Sequence, residues 1–164
     1  MNLWLIGMMG SGKTTVGRLV AAAANRPFWD VDLIVQQRLG TTIPDVWKRE
    51  GEDAFRAIES TIVAELALGE SAVISTGGGA ILREANCRAM RRSGTVVWLQ
   101  APPEVLAGRV VGSLDRPVLG SGGAARLAEL LDSRLSAYAA AAHQSVSTDG
   151  RTPADVAAEV SQWL

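Results

Sequence analysis

One stretch near the start of the chain restricts the fold and the ligand more than any other. Residues 7–14 read Gly-Met-Met-Gly-Ser-Gly-Lys-Thr, which fits the phosphate-loop pattern of Gly, four residues, Gly, Lys and then Ser or Thr. The apolar run Leu3 to Ile6 precedes it as a buried strand would, and residues 15–22 follow with helical spacing. A chance glycine-rich turn is the weaker interpretation, so we predict a nucleoside triphosphate site.

The loop pattern also assigns individual contacts. Its glycines let successive backbone N–H groups point inward, and the following helix adds its positive N-terminus to the same anion site. Lys13 is expected to reach the β and γ phosphates, and the Thr14 hydroxyl is expected to ligate Mg²⁺. The predicted ATP-binding residues of this segment are Gly10, Ser11, Gly12, Lys13, Thr14 and Thr15.

Length and charge narrow the class of protein. A chain of 164 residues is long enough for one domain with a real core, so we predict a single domain over residues 1–164. The net charge of −1 gives no electrostatic reason to expect nucleic acid or an anionic membrane as a partner. The single cysteine, Cys87, excludes an intramolecular disulfide and fits a reducing compartment. With no signal-peptide pattern and no membrane-spanning run, we expect a soluble, cytoplasmic protein.

Strand and helix signals alternate along the chain. Such alternation predicts an α/β fold, with a parallel sheet covered by helices on both faces and ligands at the carboxyl ends of its strands. After the first strand, further strands are predicted at 27–32, 72–75, 95–99 and 143–147. A long amphipathic helix is predicted over 52–68, because its apolar residues recur at helical spacing.

Two carboxylates end the second predicted strand. Asp30 and Asp32 are one residue apart, so an extended chain would point them to opposite faces. One could then face metal and phosphates while the other faces a second substrate. The alternative is that an aspartate at this position caps the following helix.

Glycines and arginines supply the remaining candidates. Gly77 to Gly79 follow the third strand, where bare backbone lets a ligand approach closely. Arg56 and Arg134 stand in otherwise apolar helical stretches, and each taken alone fits a solvated side chain. Residues 112–123 contain four glycines and one proline, which predicts a mobile lid, and Arg116 within it could bring a cation to the phosphates.

The order of these motifs resembles the shikimate kinase family over essentially the whole chain. After the phosphate loop come Asp30-x-Asp32, Gly51-Glu52-x-x-Phe55-Arg56-x-x-Glu59, Gly77-Gly78-Gly79, Arg116-Pro117 and Arg134-x-x-x-Tyr138. The resemblance implies a P-loop NTPase three-layer α/β/α sandwich, with a five-stranded parallel sheet in the order 2-3-1-4-5 and a mobile lid. It also implies transfer of the ATP γ-phosphate to the 3-hydroxyl of shikimate, a step toward chorismate and the aromatic amino acids.

For the acceptor, the resemblance implies a site built largely on helices within residues 32–60. Arg56 and Arg134 would grip the shikimate carboxylate, a task that suits the planar guanidinium. Asp32 would hold the ring hydroxyls and orient the 3-hydroxyl, and whether it also accepts the proton stays open. The backbone at Gly77, Gly78 and Gly79 would bind another part of the ring.

For the nucleotide, the resemblance implies a second set of roles. Asp30 would hold the Mg²⁺ shell through water, with Thr14 as a direct ligand. Arg116 would stabilise the charge of the transferring phosphoryl group, acting with Lys13 and Asp32 in catalysis. Arg109 and Arg151 match positions that flank the adenine.

The sequence departs from the family pattern at Gln36, Trp47 and Ser136, where the family usually has Glu, Phe and Pro. None of these carries a named catalytic role.

Another small-molecule kinase of the same fold, such as a gluconate kinase or a nucleotide kinase, is the alternative enzyme. A non-catalytic nucleotide-binding regulator is the alternative outside enzymes. The expected small-molecule partner is shikimate. We also expect the protein to be a monomer.

Overall fold

The sheet of the protein has the predicted parallel topology. A computed structural model describes residues 1–110 and 123–164. Within them, five strands pair in parallel in the order β2-β3-β1-β4-β5. The strands are β1 (Asn2–Ile6), β2 (Phe28–Asp30), β3 (Val73–Ser75), β4 (Gly94–Gln100) and β5 (Gln144–Ser147). This order confirms the predicted 2-3-1-4-5 arrangement.

Helices connect the strands, as the alternating sequence pattern predicts. The described residues form α1 (Lys13–Ala23), α2 (Val31–Leu39), α3 (Ile43–Glu50), α4 (Glu52–Leu68), α5 (Glu84–Ser93), α6 (Pro103–Val110), α7 (Gly123–Ala141) and α8 (Pro153–Val160). Short 3₁₀ turns cover Ala80–Leu82 and Ser161–Trp163. None of these helices is both long and apolar enough to span a bilayer.

Strand β1 divides the core into two layers. Side chains alternate across a strand, so Trp4 and Ile6 join one apolar cluster while Leu3 and Leu5 join the other. The first cluster is completed mainly by α2 to α7, and the second by α1 and α8. The result is the predicted sandwich of helices, sheet and helices.

Two threonine caps fix helix starts that the sequence predicts. Thr42 Oγ1 accepts from the backbone N–H of Asp45, 3.3 Å away, at the start of α3. Thr152 forms a capping box with Asp155 at the start of α8. Each cap satisfies a backbone donor that has no partner within the helix, a contribution of roughly 0.5–2 kcal/mol.

One boundary prediction is wrong, and it concerns the two aspartates. The second strand ends at Asp30 rather than at residue 32, and α2 begins at Val31. The Oδ1 atom of Asp30 accepts from the N–H groups of Asp32 and Leu33, at 3.1 and 3.3 Å, so Asp30 caps α2. Asp32 therefore lies in the first helical turn, and the argument from strand alternation does not apply to it.

The predicted lid falls almost wholly outside the described residues. Of the expected segment 112–123, only Gly123 is described, and it begins α7. Arg116 and Pro117 lie outside the described residues, so the lid stays a prediction from sequence.

Candidate active site

The phosphate loop connects β1 to α1 with the backbone that its glycines permit. Gly7 and Gly10 have φ angles of +146° and +80°, a region that favours glycine. A methyl group on Gly10 would also lie 2.9 Å from the carbonyl oxygen of Leu106. The Lys13 ammonium donates to the carbonyl oxygens of Gly7 and Met8, at 2.8 and 2.9 Å. The loop therefore closes around its own lysine.

A cavity of about 430 Å³ opens above this loop at the carboxyl ends of the strands. Its lining includes all of residues 10–15, the segment predicted to bind ATP. Arg109 and Arg151, the predicted adenine neighbours, line the same cavity, together with Asp30, Asp32 and Gly78. Arg109 Nη1 donates hydrogen bonds to Gly10 O at 3.2 Å and to Thr148 Oγ1 at 2.9 Å, so the end of α6 is bonded to the phosphate loop.

Thr14 and Asp30, the predicted magnesium residues, are in direct contact. The Thr14 hydroxyl donates to Asp30 Oδ2 over 2.8 Å, while the other carboxylate oxygen of Asp30 caps α2. The two interpretations of Asp30 are thus compatible, since one oxygen serves the helix and one faces Thr14. A hydroxyl and a carboxylate are hard oxygen ligands that suit Mg²⁺ beside phosphates. The described residues hold no cluster of three or more His, Cys, Asp or Glu that could bind a metal alone.

Arg56 lies beneath the triple glycine rather than on the surface. Its side chain is 9% exposed and donates to Glu59 Oε2 at 2.8 Å and to Glu52 Oε1 at 3.2 Å. The guanidinium carbon also lies over the rings of Phe55 and Trp47, at 5.0 and 5.8 Å. Two ion pairs and two cation–π contacts therefore fix the direction of one cation.

The absence of side chains at the triple-glycine turn leaves room for charged side chains of the protein itself. A methyl group on Gly79 would lie 2.1 Å from Arg56 Nη2. One on Gly77 would lie 2.7 Å from both Asp32 Oδ1 and Glu59 Oε1. Among the three, only Gly78 lines the cavity. All three glycines were predicted to admit a ligand, whereas Gly77 and Gly79 are crowded by the protein's own charged groups.

Glu59, the buried partner of Arg56, belongs to the sequence pattern, but no role was predicted for it. Its side chain is fully buried, and Oε1 has no hydrogen-bond partner among the described residues. Burial raises the pKa of this carboxyl, the charge of Arg56 opposes the rise, and the charge of Asp32 adds to it. Its position was visible in the sequence, because Phe55, Glu59 and Ile62 repeat at helical spacing on the buried face of α4.

Arg134 and Tyr138 approach the turn from the opposite side. They lie one helical turn apart on α7, and both donate to the carbonyl oxygen of Gly78, at 3.4 and 2.6 Å. The guanidinium groups of Arg56 and Arg134 thus lie against adjacent residues of one turn, Gly79 and Gly78. The sequence pattern contained Tyr138 but gave no function to its hydroxyl.

The arrangement suits transfer of a phosphoryl group to an acid-bearing acceptor. Asp32 and Gly78 line the phosphate-loop cavity, whereas the guanidinium groups of Arg56 and Arg134 lie at the adjoining triple-glycine turn and are not part of the cavity lining. Arginine pairs with both oxygens of a carboxylate, and Asp32 can accept hydrogen bonds from hydroxyl groups. Of the three predicted catalytic residues, Lys13 and Asp32 line one cavity, while Arg116 lies outside the described residues.

Comparison with known proteins agrees with this geometry. Residues 9–164 match the family model described as shikimate kinase. Shikimate kinase from Symbiobacterium thermophilum is 47% identical over 100% of this chain and 96% of its own, and that from Moorella thermoacetica is 43% identical over 99% and 94%. The structure of shikimate kinase from Acinetobacter baumannii in complex with shikimate superposes with a TM-score of 0.94, at 36% identity, over 98% of this chain and 90% of that one. The chain belongs to the shikimate kinase family.

Proposed function

We propose that this protein transfers the γ-phosphate of ATP to the 3-hydroxyl of shikimate, giving ADP and shikimate 3-phosphate. The observation that carries the proposal is the pair of guanidinium groups at the triple-glycine turn, beside a phosphate-loop cavity. Shikimate has one carboxylate and three ring hydroxyls, so it matches two arginines and an aspartate. The relatives that are 43–47% identical to this chain are named shikimate kinase.

The nucleotide half follows from the loop. Backbone N–H groups of residues 10–15 and the start of α1 bind the phosphates, and Lys13 exchanges its contacts with Gly7 and Met8 for phosphate oxygens. Arg109 and Arg151, which line the same cavity, flank the adenine. Thr14 would hold Mg²⁺ directly and Asp30 would hold it through water, and the bound ion would neutralise phosphate charge.

The acceptor half places the reacting oxygen. Arg56 and Arg134 bind the carboxylate, which orients the ring above Gly78. Asp32 accepts a hydrogen bond from the 3-hydroxyl and directs its oxygen at the γ-phosphorus. The new O–P bond forms as the bond to the β–γ bridging oxygen breaks, and the hydroxyl proton passes to Asp32 or to water. Positioning supplies most of the acceleration, because phosphoryl transfer has a loose transition state.

A coupled assay of ADP release tests the proposal directly. Shikimate, gluconate and nucleoside monophosphates are supplied in parallel, each with and without Mg²⁺. We expect turnover that depends on both shikimate and Mg²⁺. Turnover with gluconate or a nucleotide, but not with shikimate, would overturn the proposal in favour of another kinase of the same fold.

Arginine-to-lysine variants test the carboxylate site by calorimetry. Arg56→Lys and Arg134→Lys keep the charge and lose the planar fork, so shikimate should bind roughly ten- to a hundredfold more weakly while ATP affinity stays nearly unchanged. Arg38→Lys is the matched control, because Arg38 forms an exposed bidentate pair with Glu65 instead. Equal weakening of both ligands would contradict the assignment.

A further inference from the structure

The carbonyl group of Gly78 receives hydrogen bonds from two side chains of one helix. The Tyr138 hydroxyl donates over 2.6 Å and Arg134 Nη1 over 3.4 Å. The two residues are four apart on α7, so they share the face that packs on the triple-glycine turn. Gly78 also lines the cavity above the phosphate loop.

The two donors differ in how firmly they are held. The Tyr138 side chain is fully buried, and its ring stacks on Trp98 with centroids 5.3 Å apart and planes inclined by 14°. Burial raises the pKa of the Tyr138 hydroxyl, so it stays protonated and can donate. Arg134 is only partly buried, and its contacts to Gly78 O at 3.4 Å and to Met8 Sδ at 3.9 Å are both long. Its charge also faces the Tyr138 hydroxyl and opposes the rise in the pKa of that group.

This difference matters when the arginine binds a carboxylate. If the Arg134 guanidinium turns to a ligand, it gives up its hydrogen bond to the Gly78 carbonyl. Leaving that carbonyl without a donor costs free energy, which weakens ligand binding. A second, fixed donor removes that loss.

We propose that Tyr138 is a positioning residue whose hydroxyl is the permanent donor to Gly78, which lets Arg134 exchange that carbonyl for the carboxylate of the acceptor. Tyr138 itself does not contact the acceptor. Its effect passes through the Gly78 carbonyl and through Arg134. The ligand half of this inference rests on the proposed function, whereas the pairing of donors does not.

Tyr138→Phe removes the hydroxyl and keeps the aromatic stack. In that variant Arg134 is the remaining donor, so its release should weaken shikimate binding by about five- to fiftyfold. ATP affinity should stay within twofold of wild type. The loss should appear in KM for shikimate more than in kcat, because the reacting groups keep their places once the acceptor is bound.

Ser133→Ala is the matched control on the same helix. Its hydroxyl donates to the carbonyl oxygen of Leu130 over 2.8 Å, so this variant also removes one hydroxyl-to-carbonyl bond. We expect both affinities to remain at their wild-type values.

A double-mutant cycle on thermal stability, measured without ligand, tests the pairing of the two donors independently of shikimate binding. Tyr138→Phe or Arg134→Met alone leaves one donor on Gly78, and the combination leaves none. The fall in Tm of the double variant should therefore exceed the sum of the single falls by at least about 2 °C.

Each result decides a different point. Additive Tm changes, or a Tyr138→Phe variant with wild-type shikimate affinity, would overturn the role of Tyr138. If wild-type protein binds no shikimate, the proposed function fails, and the ligand-free cycle still decides whether the two donors share the carbonyl. Equal loss of shikimate and ATP binding would indicate general disruption and would also overturn the proposal.

Discussion

Replacement of Gly79 by alanine tests whether the bare backbone at this turn exists to admit Arg56. Gly79 has φ and ψ of −103° and 0°, which alanine can adopt, so the substitution adds a methyl group without backbone strain. That methyl would lie 2.1 Å from Arg56 Nη2 and 2.5 Å from its Cζ. Since carbon contacts are ordinarily about 3.5–4.0 Å, the guanidinium must move by roughly 1 Å or more.

The cost of that movement follows from the partners of Arg56. The guanidinium donates to Glu59 Oε2 at 2.8 Å, and Glu59 is fully buried. A displaced arginine leaves this carboxylate poorly paired, which should lower the free energy of unfolding by about 1–3 kcal/mol. The same displacement removes one side of the carboxylate site, so shikimate affinity should fall roughly ten- to a hundredfold.

Calorimetric titration with shikimate and with ADP measures the two affinities separately, and urea unfolding measures the stability. Gly108→Ala is the control, because its methyl would meet nothing within 4 Å in helix α6. That change should leave both affinities intact and stabilise the helix by up to about 1 kcal/mol. In Gly79→Ala, we expect ADP to bind as in wild type.

Two results would refute this reasoning. Wild-type shikimate affinity in Gly79→Ala would show that Arg56 tolerates the methyl or does not bind the acceptor. Combination with Arg56→Ala separates a direct effect from an indirect one, since the methyl then has no guanidinium to displace. A further loss of shikimate affinity in the double variant would mean that the methyl blocks the acceptor itself.

Substitutions at three other residues test a buried charge, the metal site and the chemical step. Burial raises the pKa of Glu59 above its ordinary 4.5, so its contribution to stability is full below about 4.5 and is lost as pH rises through the raised value. Wild-type protein should therefore lose stability relative to Glu59→Gln from pH 4 to 8 in urea titrations. Thr14→Val should raise the Mg²⁺ concentration for half-maximal ADP release at least roughly tenfold, while Thr14→Ser should not. Asp32→Asn should lower kcat roughly a hundredfold or more in the coupled assay and still bind ATP.

Each of these expectations has a clear opposite. A stability difference that does not change with pH would mean that the pKa of Glu59 is not raised in the folded protein. Unchanged magnesium dependence in Thr14→Val would remove Thr14 from the metal site. Near-wild-type turnover in Asp32→Asn would leave Asp32 as a residue of the first turn of α2 and nothing more.

The fold was predictable because local signals agreed along the chain. The phosphate loop needs glycines that can adopt positive φ angles, with a strand before it and a helix after it, and the sequence contains all three signals. The structure has the positive φ angles at Gly7, Gly10 and Gly12. The caps Thr42 and Thr152 likewise act within one helical turn. Rules that involve neighbouring residues can be applied to a single sequence.

The second strand shows how two local rules can compete. Alternation along a strand would point Asp30 and Asp32 to opposite faces, whereas a helix cap at Asp30 places Asp32 in the first helical turn. The cap prevails because Oδ1 of Asp30 satisfies two N–H groups that begin α2. Asp32 still lines the cavity, although from a helix rather than from a strand.

The surroundings of Arg56 could not be read from the sequence in the same way. Taken alone, Arg56 fitted a solvated side chain, yet it is buried, and it lies where a methyl group on Gly79, 23 positions away, would be. The contact of Tyr138 with Gly78 spans 60 positions. Such contacts depend on tertiary packing, which local patterns do not encode. The role of Arg116 in a lid remains a prediction of the sequence.

The most direct test of the central claim is the position of the new phosphate group. Wild-type protein is incubated with ATP, Mg²⁺ and shikimate, and the products are examined by ³¹P–¹H correlation NMR. We predict a new phosphomonoester signal coupled to the ring proton at carbon 3, formed together with ADP in equal amount. A phosphate coupled to another ring proton, or release of inorganic phosphate with shikimate unchanged, would contradict the account.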